Sequence, residues 1–376
     1  MMHRTRARAA VRAAALLLAG ALAACSDTGA PTAAAPEQDP LVEALVAMGA
    51  KRETIVDGGD HFVVEGDIKV YKKDLRPVQP NDGKAHPGQP SYQRYNTVVA
   101  QNRRHITVDV SAIDAESASW GAATRAAMNN WSAVSNTYIR YVEGGPADVT
   151  VSWVNSLPNC GVARGSWPAN GAPGTTVEIN RTFSGSYVYG QQVWIMTHEL
   201  GHNIGMAHTD QSFGTLVPGT PTSDGGSVMN SGNTYGGCPP AAPSWSGFSS
   251  NDQKAARYLY PLPAPSGLTS VNSGGNVLVS WSGLAGAQYY EARRIDRRVY
   301  SNPYEGWEQV YDYPGGWWSV YGTSFDSGTP YTGVSYCLVR DTGYEQEYTE
   351  SWYEVRAVFS TGTGPAATVW TNDVTC

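Results

Sequence analysis

The stretch Thr197-His198-Glu199-Leu200-Gly201-His202-Asn203-Ile204-Gly205-Met206-Ala207-His208 reads HExxHxxGxxH from its second residue. On a helix of 3.6 residues per turn, His198 and His202 stand about 40° apart on one face, one turn along. A ring nitrogen of each can therefore reach one cation. Glu199 lies about 100° round from His198, close enough to hold a water beside that cation without ligating it. Gly205 can adopt a left-handed conformation and end the helix, turning the chain back to present His208 as a third nitrogen. Three histidines leave the fourth position of a tetrahedral zinc ion open, the arrangement of a catalytic rather than a structural site. The bland alternative is a surface helix with incidental histidines. Four of the 7 histidines lie outside the run, so no His-rich tract accounts for it.

About twenty residues after His208 comes Ser227-Val228-Met229-Asn230. With the extended histidine motif, this Met resembles the Met-turn of the metzincin zinc endopeptidases. Within that clan the chain resembles the dual-action HEIGH metallopeptidases. The matching pieces are His198-Glu199-Leu200-Gly201-His202, His208-Thr209-Asp210, Val217-Pro218-Gly219-Thr220-Pro221, Ser227 to Asn230, and Phe248 to Asp252 running on to Tyr258-Leu259-Tyr260-Pro261. The resemblance covers roughly residues 41 to 262, with Leu200 where the family's name has Ile. It implies Zn2+ held by His198, His202 and His208, Glu199 as the catalytic base, Met229 beneath the metal, and a protein or peptide substrate. Ser231 stands where astacin-type members carry a tyrosine two residues after the Met, so a tyrosine in that role is not implied here, and Tyr235 is no more than a guess for it.

The implied fold class is α+β: a metzincin-like catalytic domain, with a mixed five-stranded sheet and long helices, followed by an all-β sandwich. Apolar alternation supports strands at His105 to Val110, Tyr138 to Val142, Asp148 to Val154 and Thr175 to Asn180. Trp120, Ala127, Trp131 and Val134 share one helical face. The metal helix is expected over about Gly190 to Ile204, and a last helix over Asn251 to Tyr260 with Ser249 as N-cap. In metzincins the fourth strand is the sheet edge that pairs antiparallel with substrate. Gly161 to Ser166 is the candidate here, against the plainer reading of a glycine-bearing loop.

Upstream, Phe62-Val63-Val64-Glu65-Gly66-Asp67-Ile68 is similar to the Phe-Glu-Gly-Asp-Ile stretch of astacin propeptides, whose Asp closes the zinc site. Asp67 is therefore a candidate latency ligand, released by a cut between Lys84 and Arg104; the alternative is a simple surface turn at Gly66-Asp67.

The first residues read as an export signal. Arg4, Arg6, Arg8 and Arg12 precede an apolar run from Ala13 to Ala24 that is too short to span a membrane. Leu22-Ala23-Ala24-Cys25 resembles a bacterial lipobox, with Cys25 as the lipidated residue; an ordinary secretory signal is the other reading. The expected location is outside the cytoplasm, on the cell envelope or surface. Taking the four leader arginines from 26 basic residues leaves 22 against 33 acidic ones, a net charge near −11, which argues against a nucleic-acid partner. Lipidation of Cys25 leaves four cysteines. Their placement suggests Cys160 with Cys238 and Cys337 with Cys376, or else free thiols.

The expected organisation is a signal peptide over 1–24, a tether over 25–40, a propeptide-like segment over 41–100, the protease domain over 101–262 and the sandwich over 263–376. A proline run from Pro261 to Pro265 marks the last boundary. Strand-like runs at Gly267 to Val271, Val277 to Trp281, Tyr289 to Ile295 and Trp352 to Phe359 look like a fibronectin type III sandwich. Trp317-Trp318 and the other aromatics there either fill that core or form a platform for sugars or substrate. A monomer is expected. The rival to an anchored peptidase is a surface adhesin in which the sandwich does the binding.

Overall fold

The computed structural model describes residues 39–76, 94–95, 98–221, 224–231, 238–273, 276–302, 306–327, 338–339 and 346–371. The leader, the tether, Cys25, Tyr235, Cys337 and Cys376 lie outside them. No helix among the described residues is long and apolar enough to cross a membrane.

The chain opens with helix α1 (Pro40–Ala47), capped by the Asp39 side chain, then strands β1 (Ile55–Asp57), β2 (His61–Val64) and β3 (Ile68–Tyr71). Strands β2 and β3 are short and buried on both faces, so they lack the alternation that marks a half-exposed strand, while β1 lies at the exposed edge. A two-residue strand β4 (Arg94–Tyr95) follows. The chain then runs β5 (His105–Asp109), α2 (Ser111–Asp114), α3 (Ala118–Ser132), β6 (Arg140–Glu143), β7 (Val149–Val154), β8 (Ala163–Ser166), β9 (Thr176–Asn180) and α4 (Tyr189–Asn203). After β10 (Thr215–Leu216), which pairs with β4, it closes with α5 (Ser250–Leu259).

One sheet organises this half, in the order β1-β2-β3-β8-β9-β7-β5-β6. Five strands were expected from the resemblance and eight are present, because the N-terminal segment adds three. The join is a parallel pairing of β3 with β8, Ile68 opposite Gly165 and Lys69 opposite Ser166. Strand β8 runs antiparallel to β9, and β9, β7, β5 and β6 pair in parallel. Without β1 to β3, β8 would be the sheet edge.

Helices α3 and α4 pack on one face of the sheet. Ile106, Val108, Val151, Val177 and Ile179 meet Trp120, Met128 and Trp131 of α3 and Val193, Met196 and Leu200 of α4 in one core. The α3 period that sets Trp120, Ala127 and Trp131 on one stripe is thus its buried face. A second, smaller core joins Leu45, Phe62, Val64, Ile68 and Val70 to Trp167, Ala207 and Phe213. The loop that follows α4 therefore packs on the N-terminal segment.

The C-terminal half is built of antiparallel strands: β11 (Ser266–Ser273), β12 (Asn276–Ser282), β13 (Tyr289–Asn302), β14 (Trp307–Pro314), β15 (Trp318–Val320), β16 (Ser324–Asp326), β17 (Leu338–Val339) and β18 (Gln346–Phe359). Sheets β11-β12-β16 and β14-β13-β18-β17 enclose Val277, Val279, Trp281, Tyr290, Tyr353 and Val355. Trp281 fills the core, whereas Trp317 lies under the guanidinium groups of Arg356 and Arg293, at 3.9 and 4.5 Å. The two halves share a boundary, where Tyr138 of the N-terminal half packs into the sandwich core with Leu262.

Candidate active site

Helix α4 carries the motif, and its second half is almost wholly buried. Its carbonyls are tied down from several directions. The Trp131 indole donates to Thr197 O at 2.8 Å, the Tyr141 hydroxyl to Leu200 O at 2.7 Å, and the Tyr260 hydroxyl to Ile204 O. Past the helix, Gly205 sits at φ +83°, a left-handed conformation that strains any residue with a Cβ. There the chain reverses and brings His208 back to the helix.

His198 Nδ1 donates to Val228 O and His202 Nδ1 to Met206 O, each at 2.7 Å. His208 Nδ1 faces Glu65 Oε2 at 3.3 Å. These partners place each ring proton on Nδ1, so the three Nε2 lone pairs point at one another. His198 Nε2 lies 3.0 Å from His202 Nε2 and 3.2 Å from His208 Nε2. Three converging lone pairs repel unless a cation lies among them, and held imidazoles of this kind are how proteins bind zinc. Burial, with the neighbouring imidazoles, pushes His202 down to about 4 despite Asp67, which keeps its lone pair available. Burial also opposes a charge on His208, but Asp67 and Glu65 on either side outweigh it and push its pKa well above the usual imidazole value, so a metal takes the place of a proton there. The residues present fit a zinc ion.

Asp67 completes the cluster. Its carboxylate oxygens lie 3.0 Å from His208 Nε2, 3.5 Å from His198 Nε2 and 3.6 Å from His202 Nε2. All four ligand atoms fall within 4.8 Å of one another. Burial works against an ionised Asp67, yet the surrounding imidazoles hold its carboxyl well below the usual range. Glu199 is buried beside the cluster, and its Oε2 has no partner among the described residues. Burial first, and the Asp67 carboxylate second, push the Glu199 carboxyl well above the usual range.

The turn at Met229 is pinned from below. Asp252, at the start of α5, accepts from the Ser227 hydroxyl at 2.6 Å and from Val228 N at 3.0 Å, while Ser249 caps the helix. Met229 is fully buried and its carbonyl accepts from Thr209 N at 3.0 Å. Ser231 joins this turn to the His208 loop through Asp210, at 2.8 and 2.9 Å.

Strand β8 lies close over α4, and Gly165 is what allows it: a Cβ there would stand 2.4 Å from Glu199 O. The Asn203 side chain donates to Ser166 O at 2.9 Å and locks the two elements together. A cavity of about 290 Å3 opens beside His198 and Glu199, walled by Val162, Ala163, Trp194, Ile195 and Ala242. Trp194 stacks on the His198 ring at 5.3 Å. The Cys160–Cys238 disulfide joins the approach to β8 to the far wall. Sequence reasoning singled out neither Glu65 nor Trp194. Spacing on α4 offered a signal for Trp194, one turn before His198, but Glu65 reaches His208 across 143 positions.

The dual-action HEIGH metallo-peptidase family matches residues 62–260. Among solved structures, myroilysin is 17% identical, with 42% of this chain and 93% of that chain covered at a TM-score of 0.28. The FN3 domain of human collagen XX is 17% identical, with 29% of this chain and 92% of that chain covered at a TM-score of 0.14. No curated protein matches the chain.

Proposed function

The chain belongs to the dual-action HEIGH metallopeptidases, which makes it a zinc metalloendopeptidase, and from that premise we propose that it is exported as a latent enzyme with Asp67 as its latch. The carrying observation is the convergence of three Nε2 lone pairs on one point that an N-terminal carboxylate covers. When bound, zinc supplies positive charge that activates water and polarises the scissile carbonyl. His198, His202 and His208 hold it, each steadied through Nδ1. Glu199 accepts the proton of the attacking water and delivers it to the leaving amine nitrogen. Substrate backbone lies along β8 once β3 has left it.

Asp67 opposes catalysis at two points. It covers the ligand position substrate needs, and its charge favours the protonated form of Glu199, which cannot act as a base. Cutting between Lys84 and Arg104 frees the segment that carries it. Arg4 to Ala24 and Cys25 direct the chain out of the cytoplasm and onto a membrane by a lipid.

The test uses the full chain with Cys25 replaced, assayed for bound zinc and casein hydrolysis before and after removal of the N-terminal segment. One zinc per chain is expected throughout, with activity only after removal or in Asp67→Ala. Glu199→Gln should keep the metal and lose about a thousandfold in turnover. Near wild-type turnover in that variant sinks the base assignment. An Asp67→Ala chain as silent as the intact one sinks the latch.

A further inference from the structure

Beyond the latch itself, the N-terminal segment places a basic side chain along the substrate edge. Lys69 is 6% exposed, and its Nζ donates to Glu178 Oε1 at 2.8 Å. Arg164 Nε donates to the other oxygen, Glu178 Oε2. Arg164 and Glu178 stand opposite each other in the β8–β9 pair, and Lys69 stands opposite Ser166, two residues along β8 from Arg164. Side chains two apart on a strand share a face, so all three charged groups lie on the sheet face away from α4, which Gly165 faces.

Departure of β3 takes one of the two cations away. Glu178 keeps Arg164 on Oε2, but Oε1 loses its donor in a setting where an unmatched carboxylate oxygen is costly. An incoming strand that supplies a cation at the same register restores the pair. Direction then fixes where that cation lies in a substrate. Strand β3 runs parallel to β8, leading from Asp67 at the metal toward Lys69. A substrate pairing antiparallel runs the other way, so the residue in the place of Lys69 comes before the scissile bond.

We propose that Glu178 is a specificity-determining residue, recognising a lysine or arginine at the second or third position before the scissile bond, with Lys69 as its internal mimic. The inference rests on the peptidase reading above. A purely structural Lys69–Glu178 pair, fixing only the register of β3, is what the test must separate from it.

The probe is a set of acylated tripeptide hydroxamates, whose metal-binding end fixes the register at the His198, His202 and His208 centre. Members differ only by lysine or norleucine at the second or third residue from that end. The protein is the full chain with a specific protease site built into residues 77–93, cut after folding and freed of the N-terminal piece. Lysine is expected to bind about tenfold tighter than norleucine at one of the two positions. That ratio should fall to about one in Glu178→Gln and return in part in Glu178→Asp. Equal binding of lysine and norleucine peptides by the wild-type chain overturns the subsite while leaving the metal centre standing. Failure of every hydroxamate to bind overturns both readings. The wild-type comparison needs no variant, so a misfolded Glu178→Gln does not rescue the idea.

Discussion

At the scale of single residues, Glu65 shows how far the metal centre depends on a segment outside the motif. It is buried at φ +54°, a left-handed conformation uncommon for a side chain of this size. What holds it there is visible: Oε1 accepts from Ser212 N at 2.8 Å and Phe213 N at 2.7 Å, and Oε2 faces His208 Nδ1. A carboxylate behind a ligating histidine fixes its tautomer and strengthens it as a donor. Glu65→Gln should therefore weaken zinc binding by the intact chain about tenfold, read by competition with a chromophoric chelator. Once the N-terminal segment is removed, the same substitution has nothing to act on. Equal zinc affinity in the intact wild-type and variant chains would deny Glu65 this role. The neighbouring motif residues were legible because their chemistry is local: two histidines a turn apart and a glycine at the helix end need no knowledge of the rest of the fold. Glu65 was not, since it gains meaning only when a turn far upstream lies against His208.

At the scale of elements, the same contrast separates β5, β7 and α3 from β2 and β3. The first group has one buried and one solvated face, and periodicity reports that directly. The second is covered on both sides, so His61-Phe62-Val63-Val64 and Ile68-Lys69-Val70-Tyr71 read as plain apolar runs around a Glu-Gly-Asp turn. Glu65-Gly66-Asp67 is the turn of an antiparallel hairpin between β2 and β3. The join between β3 and β8 has a pH signature. Burial pushes the Glu178 carboxyl up, but the hydrogen bonds from Lys69 and Arg164 outweigh it and hold it below its ordinary value of 4.5. A carboxyl depressed by folding contributes stability above its unfolded value, lost as pH falls through the lower folded one. The grip of β3 on β8 should thus loosen as the medium is acidified below about pH 4.5. Hydrogen exchange at the β3 amides measures this, and in Glu178→Gln the slope with pH should flatten; an unchanged slope would assign the acid response to other groups. On the opposite flank the Cys160–Cys238 bond spans 78 residues of sequence and ties the start of β8 to the segment beyond Met229. Replacing both cysteines with serine should cost about 2–5 kcal/mol in denaturant unfolding, since a long loop is then free in the unfolded chain.

At the scale of the whole molecule, the question is whether the sandwich is a separate module on a proline hinge, as the run from Pro261 to Pro265 suggests. The contacts argue otherwise. Tyr138 leaves the catalytic half, enters the sandwich core, packs on Phe359 with ring centres 5.2 Å apart, and donates from its hydroxyl to Ala285 O at 2.6 Å. Its own amide donates to Tyr260 O at 2.8 Å, at the end of α5. Two residues earlier, Asn136 N donates to Thr361 O at 2.7 Å, and the Thr361 hydroxyl returns a bond to Thr137 O at 2.9 Å. A hinge would break all of these and expose Tyr138 and Leu262. The two halves should therefore melt in a single calorimetric transition. Tyr138→Ala removes a ring that sits in the sandwich core and packs on His105 of the catalytic half, at a cost of about 3 kcal/mol, and should split that transition into two. Two transitions in the wild-type chain would restore the hinge. The coupling also bears on catalysis, because α5 holds the Met229 turn through Asp252, and Tyr260 at its end holds Ile204 at the end of the metal helix. Tyr138→Ala should accordingly lower the temperature at which zinc is released along with that of unfolding. Zinc loss that stayed at the wild-type temperature would confine the sandwich to a passive role.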